Sequence, residues 1–314
     1  MRIVSLLPSA TEILFAIDKG REVVGVTHEC DFPPAARSLP KITGDLLPPG
    51  LSASEIDAAA IAGIRDEHTI YRLDEELLRE LEPDVVVTQA LCAVCAVPTH
   101  VVEEAVCSMP RAARVVSTDP KDLGQILESI MEVGRVVEAP ASETLVASLA
   151  ARLRAVEEAV RDLPQPRVAV LEWPDPPYAP GHWVPAMVEM AGGRNVLGRA
   201  GAPSRPASWE EVLQSHPQVV VLAFCGFDLQ QAQARVEEIG HRAEWRELAA
   251  RAAVVAVDGS AYFSRPGPRV VDGVELLAGV LHQVESLRPP PGRAALLTPR
   301  GWREAAEVPM QASL

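Results

Sequence analysis

The 314-residue sequence predicts an α/β protein with two parallel-sheet lobes bridged by a long central α-helix. Three observations carry this. Short β-branched runs alternate with helical stretches, the pattern of a parallel sheet. Near the middle, Leu123, Ile126, Leu127, Ile130, Val133 and Val137 recur at helical spacing. On either side of that helix the chain echoes itself, with DEELLRELEPDVVVTQAL at 74–91 and SWEEVLQSHPQVVVLAFC at 208–225.

The elements follow in order. Arg2–Leu7 reads as a strand, and Ser9-Ala10-Thr11-Glu12 has the S-x-x-E pattern of a capping box before Ile13, Leu14 and Ile17. Val23–Val26 reads as a second strand, followed by loop through Pro34. Asp74–Glu82 is helical and stopped by Pro83, and Val85–Thr88 is a buried strand. The Cys92/Cys95 loop, a helix over Val101–Val106 with Cys107 on its apolar face, and a strand at Arg114–Ser117 complete a first lobe, 1–121. The bridging helix is assigned to 122–140. A second lobe, 141–288, opens with a helix over about 142–163 and continues with strands at Val168–Leu171, Val219–Ala223 and Val254–Val257. Its helices run from Val184 to Ala191, ended by Gly192-Gly193 as a C-cap, and from Val271 to Val284. Residues 289–314 form a Pro-containing tail with no role readable in the sequence.

Aligned on Pro83 and Pro217, Glu76 falls on Glu210, and Val85-Val86-Val87 on Val219-Val220-Val221. Any α/β protein repeats helix–proline–strand units, but the matched placement about the central helix favours two similar lobes. Ligands of open α/β sheets bind beyond the carboxyl ends of the strands, so two facing lobes would line a cleft there.

Composition narrows the partners. With 43 acidic and 29 basic residues the formal charge is −14, which repels nucleic acid and anionic membrane surfaces. No apolar run approaches the roughly 20 residues of a membrane span, so no membrane insertion is expected. The opening apolar run is too short for a signal peptide, which places the chain in the cytoplasm as given, or in the periplasm or outside the cell if an export signal was trimmed. Five scattered cysteines do not form a disulfide framework.

The unusual side chains gather on loops after strands: His28-Glu29-Cys30, Cys92 to Cys95, Tyr178 to Trp183 with His182, Cys225 to Asp228 with Phe227, and Tyr262 to Arg269. Aromatic residues are only 4% of the chain, so this concentration suits flat apolar contact with a large ligand. Cys30, Cys92, Cys95, His182 and Cys225 have the donor chemistry for zinc, iron or cobalt, although one C-x-x-C lacks the second pair of a structural zinc site. Three readings of Cys92 and Cys95 stand: buried thiols, ligand or metal contact, and redox chemistry. Against the last, Ala96-Val97-Pro98 separates the pair from the next helix, where a thiol pKa would be lowered. No G-x-S-x-G, H-E-x-x-H or P-loop is present, and Glu75/Glu76 and Glu210/Glu211 lie at helix starts, where the helix dipole accounts for acidic pairs. The expectation is a binding protein with no catalytic residues and no required cofactor. The rival is a thiol or metal enzyme using Cys92, Cys95 and His182.

Five motifs in this order, RIVSLLPSATEILFAI, VVGVTHECDFPP, LEPDVVVTQ, PPYAPGHWVPAMVEMAGGRNVLG and VDGSAYFSRPGPR, resemble the cobalamin-type substrate-binding proteins of ABC importers over about residues 1–287. The resemblance implies a class III periplasmic-binding-protein-like fold, shared with haem and siderophore binders. It implies ligand contacts at Tyr178, Trp183, Tyr262 and Arg265, and docking onto arginines of an ABC permease through Glu76 and Glu210. The sequence departs from the family at Ala261, where an acidic residue is common, and in its His28/Cys30, Cys92/Cys95, His182 and Cys225 set. The implied function is the trapping of cobalamin or a related corrinoid between the lobes, with cobalt, zinc or iron contact through His or Cys. A haem or another metal chelate is the alternative ligand.

Overall fold

The computed structural model describes residues 1–65, 70–89, 99–107, 109, 111–287 and 289–307. The chain divides into two units. Unit 1 comprises Met1–Pro120 and Gly124–Ser148, and unit 2 comprises Lys121–Leu123 and Leu149–Leu314. Unit 1 runs β1 (Ile3–Ser5), α1 (Pro8–Ala16), β2 (Val23–Gly25), β3 (Thr43–Asp45), α2 (Ala53–Arg65), β4 (Tyr71–Leu73), α3 (Glu75–Glu80), β5 (Val85–Thr88), α4 (Thr99–Cys107) and β6 (Arg114–Ser117). Helices α5 (Leu123–Val136) and α6 (Ala141–Val160) each carry residues of both units.

The sheet of unit 1 has the order β2-β1-β5-β6, all parallel, with Ile3 opposite Val85 and Val85 opposite Arg114. Every residue of β1 and β5 is buried, which is why these strands read as unbroken apolar runs. Val4, Leu6, Ile42, Leu78, Val86, Val102 and Val106 form the core. The antiparallel pair β3–β4 was not legible in the sequence.

Two local expectations are corrected. Pro8 is already helical and Leu7 is the N-cap, with no side-chain cap, so Ser9 lies inside the first turn and is buried. Proline's fixed φ suits the first helical position, and the helix therefore starts before the predicted capping box. Cys107 is exposed: Val102, Ala105, Val106 and Met109 occupy the core side at helical spacing, which turns position 107 outward.

Unit 2 runs β7 (Arg167–Leu171), β8 (Tyr178–Ala179), α7 (Val184–Met190), β9 (Arg194–Asn195), β10 (Arg205–Pro206), α8 (Trp209–Gln214), β11 (Val219–Leu222), α9 (Leu229–Ile239), α10 (Ala243–Arg251), β12 (Ala253–Val257), α11 (Gly259–Tyr262), α12 (Arg269–His282), β13 (Ala294–Thr298) and β14 (Gly301–Glu304). Its sheet has the order β14-β13-β12-β11-β7-β9. The members from β12 to β9 are parallel, while β13 and β14 add an antiparallel hairpin made by the stretch read as a tail. Leu171, Val212, Val220, Leu222, Phe224 and Trp245 lie in its core. Gly192 is left-handed beyond the α7 C-cap, as expected, and a Cβ there would sit 2.6 Å from His282 Nε2.

The echo is deeper in three dimensions than in sequence. The side chains of Asp74 and Ser208 each accept an N–H at 3.0 Å, from Leu77 and Glu211, and cap α3 and α8. Both helices are left through a left-handed residue before proline, Glu82 at φ 39° and His216 at φ 47°, where the following ring disfavours the helical region. Asp84 and Gln218 then clamp the start of the neighbouring strand. Their side-chain oxygens accept the N–H of Arg2 at 2.8 Å and of Arg167 at 3.1 Å. Their own N–H groups donate to the carbonyls of the same arginines, both at 2.8 Å.

Candidate functional site

The carboxyl ends of the parallel strands in each unit carry most of the residues singled out in the sequence. In unit 1, the loop after β2 holds His28, Glu29 and Cys30. The imidazole of His28 is fixed by Thr43 on β3, with Nδ1 2.8 Å from Oγ1, and packs against Tyr71 of β4 at 5.5 Å between ring centres. Tyr71 donates to Glu29 Oε1 at a long 3.5 Å. Cys30 faces the other way, buried among hydroxyls, with Sγ 3.1 Å from Oγ1 of both Thr11 and Thr27. Burial pushes its thiol pKa up, against the opposing hydrogen bonds, so it is a protonated thiol at neutral pH. Cys92 and Cys95 lie outside the described residues.

In unit 2, Tyr178 is half-buried on β8, which pairs with β10. Beyond it Gly181 passes so close to the 202–204 backbone that a Cβ would meet Ala202 O at 2.3 Å. His182 follows at φ 48°, its N–H donating to Ala202 O at 2.7 Å. Burial first, and the charge of Lys121 second, hold its imidazole pKa below the usual histidine range, leaving the ring neutral. Trp183 is buried and its Nε1–H donates to Phe263 O at 2.8 Å, which ties this loop to the end of α11. Trp183 therefore positions the loop, with its polar edge already committed.

The loop after β11 exposes Cys225 and brings Phe227 into a stack with Trp173, 5.3 Å between ring centres and 24° between planes. Arg235 lies 4.7 Å from the Phe227 ring centre. Asp228 caps α9 in a reciprocal capping box with Gln231. After β12, Asp258 caps α11 by accepting from Ala261 N–H, and burial pushes its carboxyl pKa up. Tyr262 is buried, with the Arg269 and Arg293 guanidinium carbons 5.9 and 5.7 Å from its ring centre, while Arg265 is half-exposed. Sequence reasoning missed Trp173 and Tyr71, although Trp173 stands two residues past a strand end, as close as several residues it chose.

Glu76 and Glu210 are exposed, each at the second position of its helix, and Glu210 accepts from Gln214 Nε2 at 3.0 Å. Among the described residues no group of three or more His, Cys, Asp and Glu could hold a metal ion, and no helix is long and apolar enough to cross a membrane.

Two histidines of unit 2 whose pKa burial lowers, His182 and His282, give a pH prediction. His282 sits with Nε2 3.0 Å from Ala191 O, and burial lowers its pKa as it does that of His182. A base whose folded pKa is depressed contributes stability that is present above its unfolded value, about 6.5, and is lost as pH falls through the folded value. His282→Gln keeps a donor for Ala191 and cannot ionise. Its melting temperature, followed by circular dichroism from pH 7.5 to 5, should fall less than that of the wild type, each kcal/mol of relief being worth about 2–4 °C. Parallel curves would remove His282 from the linkage.

Two α/β units whose strand ends carry aromatic and singly placed polar groups, with Asp228 and Asp258 spent on helix caps, have the surface of a ligand-binding protein. The chain belongs to the periplasmic binding protein family, whose model matches residues 3–255. Proteins of this family are substrate-binding proteins of ABC transporters and are not enzymes. The chain is 24% identical over 287 residues to the vitamin B12-binding protein of Vibrio cholerae serotype O1, covering 87% of this chain and 86% of that one. Its fold is similar to the periplasmic haem-binding protein of Roseiflexus sp. RS-1, with TM-score 0.64 and 23% identity over 88% of this chain and 96% of that one. It is also similar to an ABC transporter substrate-binding protein from Listeria monocytogenes, with TM-score 0.66 and 16% identity over 90% of this chain and 99% of that one. The cytoplasmic placement expected from the sequence finds no support among these relatives, whose family is named for the periplasm.

Proposed function

We propose that the chain is a corrinoid-binding protein and the substrate-binding component of an ABC importer. The observation that carries this reading is the half-buried aromatic surface at the strand ends of unit 2, where Trp173 and Phe227 stack and Tyr178 lies on the strand that follows. Such a surface gives a large ligand flat apolar contact at small entropic cost. The vitamin B12-binding relative, matched over most of both chains, agrees with it. We assign ligand contact to His28, Glu29, Tyr71, Trp173, Tyr178, His182, Phe227 and Arg265, and a positioning role to Trp183 and Tyr262.

A second reading, direct contact with the ligand's metal, is favoured by the imidazoles. His182 is neutral and so keeps a lone pair, and His28 has Nδ1 engaged by Thr43, leaving Nε2 for another partner. Titration with cobalamin, cobinamide and hemin, followed by calorimetry and visible absorption, tests both. Stoichiometric corrinoid binding supports the first reading. A shifted cobalt band that His182→Ala or His28→Ala abolishes supports the second. Hemin binding alone moves the assignment to haem, and failure of all three compounds sinks it.

We assign permease docking to Glu76 and Glu210. The double variant Glu76→Arg/Glu210→Arg should bind ligand as the wild type does and lose more than about 90% of ligand-dependent uptake in cells, because like charges facing each other cost several kcal/mol. Uptake at the wild-type level would remove both residues from the interface.

A further inference from the structure

The connection from β7 to β8 is Glu172-Trp173-Pro174-Asp175-Pro176-Pro177, and half of these residues are prolines, which bring no N–H group to hold a turn together. Main-chain bonds close its neck, with Glu172 N–H donating to Tyr178 O at 3.1 Å and Tyr178 N–H to Trp173 O at 3.4 Å. At the tip, both carboxylate oxygens of Asp175 accept from Nη2 of Arg242, at 2.7 and 2.9 Å. Among the described residues, this pair is the one hydrogen-bonded tie between positions 174–176 and the rest of unit 2. Arg242 is itself firmly seated. It is the N-cap of α10, its N–H donates to Ile239 O at 3.0 Å, and its carbonyl accepts from Arg246 N–H at 3.2 Å. Ile239 before it and Trp245 after it lie in the core of unit 2. Nε of Arg242 is buried and has no partner among the described residues. A pair made by one nitrogen, with a second donor left unsatisfied, adds little net stability. Its effect is on where the turn stands.

We propose that Arg242 is a positioning residue for ligand capture, which acts through Asp175 and does not touch the ligand. The turn it pins carries Trp173, whose ring stacks on Phe227, and leads into Tyr178 on β8. The loop that bears Phe227 is joined to the same turn, Cys225 N–H donating to Glu172 O at 2.8 Å. Holding the tip keeps these aromatic rings ordered before the ligand arrives, so binding does not bear the cost of ordering them. The inference rests on the reading of the chain as a binder of a corrinoid or another metal chelate through that surface.

Labelling with fluorotryptophan gives each of the five tryptophans its own fluorine NMR resonance, and Trp173→Phe identifies the one from Trp173. In the ligand-free protein, Arg242→Gln and Asp175→Asn should each shift or broaden that resonance and leave those of Trp183, Trp209 and Trp302 in place. In calorimetry with cobalamin, cobinamide and hemin, each variant should bind the compound that the wild type binds about tenfold more weakly, the cost of ordering two aromatic side chains on binding. The double variant should be no weaker than either single one, because both remove the same tie. Arg242→Lys, which keeps the charge, should recover part of the affinity and of the Trp173 resonance. The melting temperature of Asp175→Asn should stay close to that of the wild type, which separates placement from unfolding. Affinity lost with the Trp173 resonance unmoved, or the resonance moved with affinity kept, overturns the proposal. If no compound binds the wild type, the proposed function fails and the resonance alone decides: displacement in both variants supports the positioning of the turn by Arg242, and no displacement overturns it.

Discussion

Trp183→Ala is expected to destabilise the protein by about 3–5 kcal/mol, the range for truncating a large buried aromatic. The ring is 5% exposed, so the loss comes as a cavity that the surrounding loop can only partly fill. It also removes the Nε1–H bond to Phe263 O and strands a carbonyl at the end of α11. Trp183→Phe separates the two effects, since it keeps most of the apolar volume and loses the bond, and should cost about 1–3 kcal/mol. Urea denaturation followed by circular dichroism reads both. Ligand affinity should fall with stability in the alanine variant, because the loop carrying Tyr178 and His182 loses its tie to the turn carrying Tyr262. A cost under about 1 kcal/mol for Trp183→Ala would mean that the ring is not the anchor described.

Gly259→Ala should be nearly as severe, for the opposite reason. A Cβ there would lie 2.4 Å from Phe224 O, 2.6 Å from Ala223 C and 2.8 Å from Phe224 N. All three are backbone atoms, so no rotamer change relieves the clash. The turn after β12 and the loop after β11 are in direct main-chain contact, reinforced by Ser260 N–H donating to Phe227 O at 3.1 Å. Inserting a methyl must push the two loops apart at a cost of about 3 kcal/mol, the upper part of the range for overpacking. Because both loops belong to the proposed site, ligand affinity should drop at least tenfold in the same calorimetric titration. Gly226→Ala is the comparison, since a Cβ at that glycine meets nothing within 4 Å and its φ of 77° is the sole obstacle. It should cost about 1–2 kcal/mol. If the two substitutions cost the same, main-chain contact is not what fixes Gly259.

The parts of the fold legible in the sequence are those buried on both faces. Val85–Thr88, Val219–Leu222 and Ala253–Val257 stand out because the interior of a parallel sheet demands continuous apolar runs. The elements that escaped are short or partly exposed. Thr43–Asp45 and Tyr71–Leu73 have three residues each, too few to show alternation, and Ala294–Thr298 follows a proline run that reads as the end of structure. For the site, chain position told more than residue type. Phe227 and Tyr178 were legible as aromatics beyond strand ends, but nothing in the sequence distinguishes them from Trp183 and Tyr262, whose rings are buried. Which way an aromatic turns depends on partners distant in the chain, here Phe263 for Trp183 and Arg293 for Tyr262. The same holds for Arg293, whose placement follows from the pairing of β13 with β12.

That pairing also decides how the sheet of unit 2 meets other molecules. Without it, β12, five buried residues of which three are valine, would offer open N–H and C=O groups as a template for another chain. With the hairpin in place the sheet is bounded on one side by β14, four residues with an exposed Arg303, and on the other by β9, only two residues long. Both margins are too short, and one too charged, to recruit a neighbour. The β13–β14 hairpin thus acts as a guard against self-association, in a protein of a family whose task is to associate with a ligand.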